Sequence, residues 1–254
     1  MGNSGANRNE EIKALRTGID LGLTVIDTAE YYDNEELVGE AIHGVRDKLF
    51  LVSKVLPNHA NKQETIIQAC ENSLRKLGTD VLDLYLLHWE GSSSFQETVR
   101  AMTRLEEQGK IKMWGVSNMD VPEMERFFAI DGGKTCAVNQ VAYNLSYRGT
   151  EFDLMPWCAE RNVVLMAYSP LNEGSLPGHN TLIQIGERHN ATAAQIALAW
   201  SIRNPNLLSI PKASTPKRVA ENFKSLSIQL TEEDLNELDT AFPPPARKVP
   251  LAVW

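Results

Sequence analysis

The sequence contains little cysteine and no long apolar run. Only three of the 254 residues are cysteine, and none has C-x-x-C spacing. This argues against a disulfide framework and a structural zinc site, and it predicts a reducing, cytoplasmic compartment. No apolar stretch reaches the ~20 residues that a membrane-spanning helix needs. Residues 1–11 are polar and show no secretory signal.

A surplus of positive charge is also absent. The chain has 25 Lys and Arg against 33 Asp and Glu, for a formal net charge of −8. This balance disfavours nucleic acid and anionic membranes as partners. An anionic ligand would therefore need a local cluster of basic side chains.

No G-x-G-x-x-G turn occurs in the sequence. The chain alternates seven strand-like apolar segments with amphipathic helices, and a polar residue stands at or just after the end of each strand. These residues are Asp27, Lys54, His88, Asn118, Gln140, Tyr168 and Lys212. An open doubly wound sheet gathers its ligand at one switch point, whereas a barrel brings all its strand ends together. The pattern therefore predicts an α/β barrel in a single domain.

The first polar residues suggest an acid/base site. Asp27 ends one strand, two tyrosines follow it, and Lys54 ends the next strand. A buried lysine must be paired or neutral, and Asp27 is the obvious partner. Two interpretations stay open: a structural ion pair, or a site in which the lysine lowers the pKa of a tyrosine phenol. His88 is either a core histidine or a member of the same site.

A basic cluster stands near the start of a predicted helix. Lys212, Lys217 and Arg218 surround Thr215, which is a suitable N-terminal cap. Backbone N–H groups and the positive end of the helix dipole attract anions there. The alternative is a solvated basic helix end.

Several motifs, in order, resemble those of the aldo-keto reductases. They are D-T-A-x-x-Y at residues 27–32 followed by E-L-V-G-E-A, V-S-K at Lys54, L-D-L-Y-L-L-H at His88, G-V-S-N at Asn118, N-Q-V-A-Y-N from Asn139, A-Y-S-P-L at Tyr168, and I-P-K-A-S…R-V-A-E-N over residues 210–222, which includes Lys212. The resemblance implies a (β/α)8 TIM barrel as one domain over residues 1–254, with residues 243–254 as a C-terminal tail near the active-site mouth. It also implies reduction of aldehydes or ketones to alcohols with NADP(H).

The resemblance assigns roles to individual residues. The family's tetrad corresponds to Asp27, Tyr32, Lys54 and His88, and its spacing selects Tyr32 rather than Tyr31. Tyr32 would protonate the carbonyl oxygen, Lys54 would lower the pKa of the phenol, Asp27 would hold Lys54, and His88 would hydrogen-bond the oxygen. The residues implied for the cofactor are Ser117, Asn118, Gln140, Tyr168, Ser169, Leu171, Lys212, Ser214, Arg218, Glu221 and Asn222. For the substrate we expect Trp89 and Trp254, and we expect no metal.

The sequence departs from the family pattern in one place, and two alternative functions stay open. Family members usually begin with a strand carrying a G-x-G-T-like turn, which we do not find, so strand 23–27 would be the family's second and would lack a neighbour beside strand 207–210. One rival function is a cofactor-binding regulatory or redox-sensing subunit with little turnover. The other is a barrel glycosidase with Glu30 and Glu90 as its carboxylate pair, which leaves Lys54 and the basic cluster unexplained. Substrate identity and oligomeric state stay open.

Overall fold

The computed structural model describes residues 7–253, which divide into two compact units. The first unit contains residues 7–139 and 213–219, and the second contains residues 140–212 and 220–253. The single domain expected over residues 1–254 stays a prediction.

The first unit alternates helices with parallel strands in chain order. Its elements are α1 (Arg8–Asp20), β1 (Val25–Asp27), α2 (Glu35–Ile42), β2 (Phe50–Val55), α3 (Gln63–Leu77), β3 (Leu82–Leu87), α4 (Phe95–Glu107), β4 (Ile111–Ser117) and α5 (Val121–Phe128). The strands pair in the order β1, β2, β3, β4. The backbone N–H of Ala137 donates to the carbonyl of Trp114 at 2.9 Å. This bond brings the start of β5 (Val138–Ala142) beside β4.

The strand register brings three expected site residues together at the carboxyl ends of the strands of this sheet. Asp27 lies beside Val52, so Lys54 is two residues further along β2 on the same face. His88 follows β3 directly, and its backbone N–H donates to the carbonyl of Val55 at 3.0 Å. Every residue of β3 is buried, as expected for a parallel strand with both faces covered.

Local signals explain several helix ends in the first unit. Helix α3 ends at Gly78, whose φ of 64° is the left-handed conformation that glycine adopts readily. The Ser94 hydroxyl accepts the backbone N–H of Glu97 at the start of α4. Asn61 and Glu64 have the residue types and spacing that predict a cap for α3. This prediction is wrong, because the residue before the helix is Lys62 and its side chain makes no capping bond.

The second unit contains the end of β5 and the remaining elements. They are α6 (Leu154–Glu160), β6 (Val164–Tyr168), α7 (Asn180–Arg188), α8 (Ala193–Ser201), β7 (Leu207–Ser209), the end of α9 (Pro216–Phe223) and α10 (Glu232–Ala241). The Tyr143 N–H donates to the Tyr168 carbonyl at 3.4 Å beside the end of β5, and β6 pairs in parallel with β7. Thr192 and Gln195 have the residue types and spacing that predict a capping box. The box is present at the start of α8.

Packing in the second unit centres on Trp200. Its ring stacks on Tyr143 with centroids 5.1 Å apart, and the Arg203 guanidinium lies 3.9 Å from its centroid. Arg148 donates to the carbonyl of Phe242 at 2.6 Å, and Lys248 pairs with Asp153 at 2.7 Å. These contacts hold the chain after α10 against the segment after β5.

All seven expected strands are present. Among the described strands β1 is the first, and its one hydrogen-bonded neighbour is β2. None of the helices within residues 7–253 is both long enough and apolar enough to cross a membrane. The same residues contain no group of three or more His, Cys, Asp or Glu side chains that could hold a metal ion.

Candidate active site

The Lys54 ammonium is the centre of the candidate site. It is fully buried and donates to the Asp27 carboxylate at 2.7 Å and to the Thr28 carbonyl at 2.9 Å. A third contact joins it to the Tyr32 hydroxyl at 3.4 Å. An ammonium has three donors, and three protein oxygens face it, two of them at hydrogen-bond distance and the Tyr32 hydroxyl further away. The expected pairing of Lys54 with Asp27 is present.

Tyr32 lies in a short 3-10 turn, Glu30–Tyr32, that follows β1. Its hydroxyl is 3.4 Å from His88 Nε2, and the Lys54 ammonium lies 4.8 Å from its ring centroid. Burial raises the pKa of the Tyr32 phenol, although the charge of Lys54 acts in the opposite direction. Lys54 therefore acts on this pKa in the expected direction, but desolvation of the phenolate outweighs the effect of the cation. A raised pKa keeps the phenol protonated at neutral pH, which is the form that donates a proton.

His88 is neutral in this environment. Burial and, secondarily, the charge of Lys54 lower its pKa to about 3. Its Nδ1 atom is buried and has no hydrogen-bond partner among the described residues. A buried N–H without an acceptor is rarer than a buried acceptor without a donor. This favours the tautomer with the proton on Nε2, the nitrogen that faces Tyr32.

Two aromatic rings, those of Trp89 and Tyr31, contact the His88 ring. The Trp89 ring is tilted against His88 with centroids 4.9 Å apart, and Tyr31 makes edge contacts with both at 6.0 Å. Tyr31 is 64% exposed, whereas Tyr32 is half-buried. The structure therefore brings Tyr32, and not Tyr31, to Lys54. Trp89 is 36% exposed, as a residue at a site mouth should be.

Two further expected residues lie at the end of β4. Ser117 is buried, and Asn118 follows it with φ of 59°, in the left-handed region. The Asn118 side-chain amide donates to the carbonyl of His88 at 3.4 Å. The Ser117 hydroxyl, on the last residue of β4, and the Asn118 amide, on the next residue, thus lie beside His88.

The basic helix start divides between the two units. In the first unit the Thr215 hydroxyl accepts the backbone N–H of Arg218 at 3.3 Å, which confirms the expected cap of α9. Ser214 is half-buried there, and the Arg218 side chain is exposed. Lys212 belongs to the second unit and is also exposed. Within the first unit, the capped helix start and the exposed Arg218 side chain suit an anion approaching from solvent.

The other expected cofactor residues lie in the second unit. Gln140 is buried, Tyr168 ends β6, and Ser169 has φ of 50° and accepts the Asn144 amide at 2.8 Å. Leu171 is half-buried. Glu221 and Asn222 lie on α9, and the Glu221 carbonyl accepts the Gln195 side-chain amide at 2.8 Å. Trp254 is outside the described residues.

The sequence reasoning missed the structural role of Glu30. Its carboxylate accepts the backbone N–H of Leu56 and faces His59 Nδ1 at 3.2 Å. This links two loops that are 26 or more residues apart. No periodicity or spacing signals such a bond.

The sequence was compared with protein families and with individual known proteins. Residues 1–242 match the model of the aldo/keto reductase family. The chain is 48% identical to methylglyoxal reductase YeaE of Escherichia coli (strain K12), over 99% of this chain and 91% of the relative. It is 38% identical to glyoxal reductase of Bacillus subtilis (strain 168), over 92% of this chain and 84% of the relative.

Solved structures give the same result. An aldo-keto reductase from Klebsiella pneumoniae in complex with NADPH superimposes with a TM-score of 0.96 at 48% identity, covering 100% of this chain and 92% of the other. The chain belongs to the aldo/keto reductase family, and its fold is the α/β barrel of that family. It is therefore an oxidoreductase that acts on carbonyl groups.

Proposed function

We propose that this protein uses NADPH to reduce small dicarbonyl compounds such as methylglyoxal or glyoxal, with Tyr32 as the proton donor. The observation that carries the proposal is the contact chain Asp27, Lys54, Tyr32, His88, with its consecutive polar atoms 2.7, 3.4 and 3.4 Å apart. The substrate class rests on the relatives, which are a methylglyoxal reductase and a glyoxal reductase.

The residues present fit the cofactor. A hydroxyl, Ser117, and an amide, Asn118, offer a donor and acceptor set suited to a carboxamide, and Asn118 is anchored to the residue that would contact the substrate. Gln140 in the second unit is a further buried amide. Arg218 at the capped start of α9 supplies charge and backbone N–H groups suited to a phosphate. We propose that Ser117, Asn118, Gln140, Tyr168, Ser169 and Leu171 hold the nicotinamide end and that Lys212, Ser214, Arg218, Glu221 and Asn222 hold the adenosine phosphate end.

The cofactor supplies a hydride to the carbonyl carbon when bound, and the chain's own residues manage the proton and the charge. Neutral His88 donates its Nε2–H to the carbonyl oxygen and orients it. Tyr32 then gives its proton to that oxygen as negative charge develops there. The phenolate left behind lies beside the Lys54 ammonium, which stabilises it, and Asp27 holds that ammonium in place.

The glycosidase alternative finds no support in the contacts of its two carboxylates. Glu30 is bound to the Leu56 N–H and faces His59, and Glu90 pairs with Arg126 at 2.7 Å. Nor does either relative support a regulatory subunit with little turnover.

The test is turnover of NADPH with methylglyoxal by the purified chain, alongside Tyr32→Phe and Tyr31→Phe. Tyr32→Phe should retain less than about a tenth of wild-type kcat and bind NADPH with nearly unchanged affinity, because the phenol acts only at the reacting centre. Tyr31→Phe, the matched control, should keep most of kcat. A Tyr32→Phe variant that turns over like the wild type would remove Tyr32 from this role.

A further inference from the structure

Tyr32 is held mainly by its loop and not by its catalytic neighbours. Its hydroxyl is 3.4 Å from both Lys54 Nζ and His88 Nε2, which is longer than the 2.7–3.2 Å of a well-made hydrogen bond. The 3-10 turn that carries it has only three residues. Within this turn, the backbone N–H of Tyr32 donates to the Ala29 carbonyl at 3.1 Å, and the N–H of Asp33 donates to the Glu30 carbonyl at 3.4 Å. Other contacts must therefore fix the position of the phenol.

The base of this loop is closed by one buried hydrogen bond. The Thr28 hydroxyl donates to the Asn34 side-chain carbonyl at 2.6 Å, and the Thr28 N–H donates to the Val52 carbonyl at 3.0 Å. These bonds hold the two ends of the loop. They do not hold the turn between them.

The turn itself is tied down by Glu30. This carboxylate is the first residue of the turn, its side chain is only 14% exposed, and it accepts the backbone N–H of Leu56. Both of its oxygens also face His59 Nδ1, at 3.2 and 3.3 Å. Leu56 directly follows β2, the strand that carries Lys54. The bond therefore connects the turn that carries the proton donor to the strand that carries its cation.

We infer that Glu30 is a positioning residue, whose carboxylate fixes the distance between the Tyr32 phenol and Lys54. This inference rests on the proposed function, because it assumes that Tyr32 is the proton donor. A displacement of about 1 Å in a reacting group can reduce turnover by as much as a hundredfold. Loss of the tether should therefore lower kcat more than it changes KM or cofactor affinity.

The experiment compares Glu30→Ala, Glu30→Gln and Glu30→Asp in the full chain. Glu30→Ala removes the acceptor, and we expect kcat to fall about tenfold or more, with NADPH affinity within about twofold of wild type. Glu30→Gln keeps an oxygen at the same reach for the Leu56 N–H, so it should recover most of kcat. Glu30→Asp keeps the charge but is one methylene shorter, so it should resemble Glu30→Ala. If Glu30→Ala does not fold, the difference in kcat between Glu30→Gln and Glu30→Asp still tests the inference.

Two controls separate the tether from other effects. Glu36→Ala removes an exposed glutamate on α2 close to the same loop, and it should leave kcat unchanged. His59→Gln removes only the more exposed partner, which has a side-chain exposure of 46%, and should lower kcat less than Glu30→Ala does. Wild-type kcat in Glu30→Ala or Glu30→Asp, or a Glu30→Gln variant as slow as Glu30→Ala, would overturn the inference.

A second readout does not depend on activity. The ionisation of the Tyr32 phenol can be followed by ultraviolet difference spectra between each protein and its Tyr32→Phe counterpart. Burial raises the pKa of this phenol in the intact chain, so release of the turn in Glu30→Ala should shift that pKa back toward its ordinary value. An unchanged pKa would overturn the inference. A wild-type chain that reduces no dicarbonyl would instead contradict the proposed function, and the titration would still test the tether.

Discussion

Protonation of His88 should couple the stability of this protein to pH. The folded structure lowers the pKa of His88 from an ordinary 6.5 to about 3, because the ring is buried and lies near Lys54. The unfolded chain takes up a proton on this residue as the pH falls below 6.5, while the folded chain does not. The free energy of unfolding is therefore unaffected by His88 above pH 6.5, and it declines as the pH falls from 6.5 towards 3.

The size of the effect follows from these two values. At pH 5 the unfolded histidine is almost fully protonated, 1.5 pH units below its ordinary pKa. Each unit corresponds to about 1.4 kcal/mol, so folding should lose about 2 kcal/mol between pH 8 and pH 5 through this residue alone. His88 is only 8% exposed, so solvent screening reduces this figure little.

The assay is urea unfolding of the wild type and of His88→Gln at both pH values, followed by tryptophan fluorescence. The wild type should lose about 2 kcal/mol more than the variant on going from pH 8 to pH 5. Of the five histidines, four are common to both proteins, so they and the carboxyl groups cancel in the difference. If the difference in unfolding free energy between the two proteins is the same at both pH values, then His88 is not held neutral by the fold and the reasoning fails.

Three further predictions concern other parts of the molecule. Lys54→Met should abolish turnover and destabilise folding by about 3–5 kcal/mol, since it leaves the Asp27 carboxylate without its cation. Urea unfolding checks this, and adding Asp27→Asn should restore part of the loss. Arg218→Ala should weaken NADPH binding about tenfold and leave NADH binding nearly unchanged, because a charge-assisted contact is worth roughly 1.5–3 kcal/mol; fluorescence titration would contradict this if both cofactors lost affinity equally. Burial raises the pKa of the Cys70 and Cys158 thiols to about 12, so neither should react with a thiol reagent at pH 8 until urea unfolds the chain, and a fast native-state reaction would show that these sites open.

The strand ends were predictable because a polar residue after an apolar run is a local signal. The apolar run at residues 81–88, whose pattern predicts a strand, corresponds to Leu82–Leu87, and the predicted strand 207–210 corresponds to Leu207–Ser209. The capping box at Thr192 was predictable for the same reason, since all its members lie within four residues. Asn61 had the right chemistry for a cap, but the first helical residue is Gln63 and the chain places Lys62 at the capping position. Propensity does not determine which residue takes the required backbone angles.

Features that depend on packing from several directions were not predictable. The sequence predicted that Lys54 lowers the pKa of the Tyr32 phenol, and its charge does act in that direction. Burial raises the pKa more, and the burial of the phenol depends on every element packed around it. The bond from Glu30 to Leu56 joins two irregular segments, and its partner is set by the register of β1 against β2. Residue types and motif order therefore identified the candidate tetrad. The electrostatic balance and the supporting contacts required the fold.

The left-handed backbone of Asn118 has a consequence for engineering. A side chain in this conformation is strained by roughly 1 kcal/mol or more relative to glycine, although asparagine tolerates it better than most residues. Asn118→Gly would relieve that strain and also delete the amide that contacts the carbonyl of His88. A library screened only for survival after heating would favour glycine at this position. One screened for turnover would keep asparagine, so directed evolution of a heat-resistant variant should apply both screens in every round.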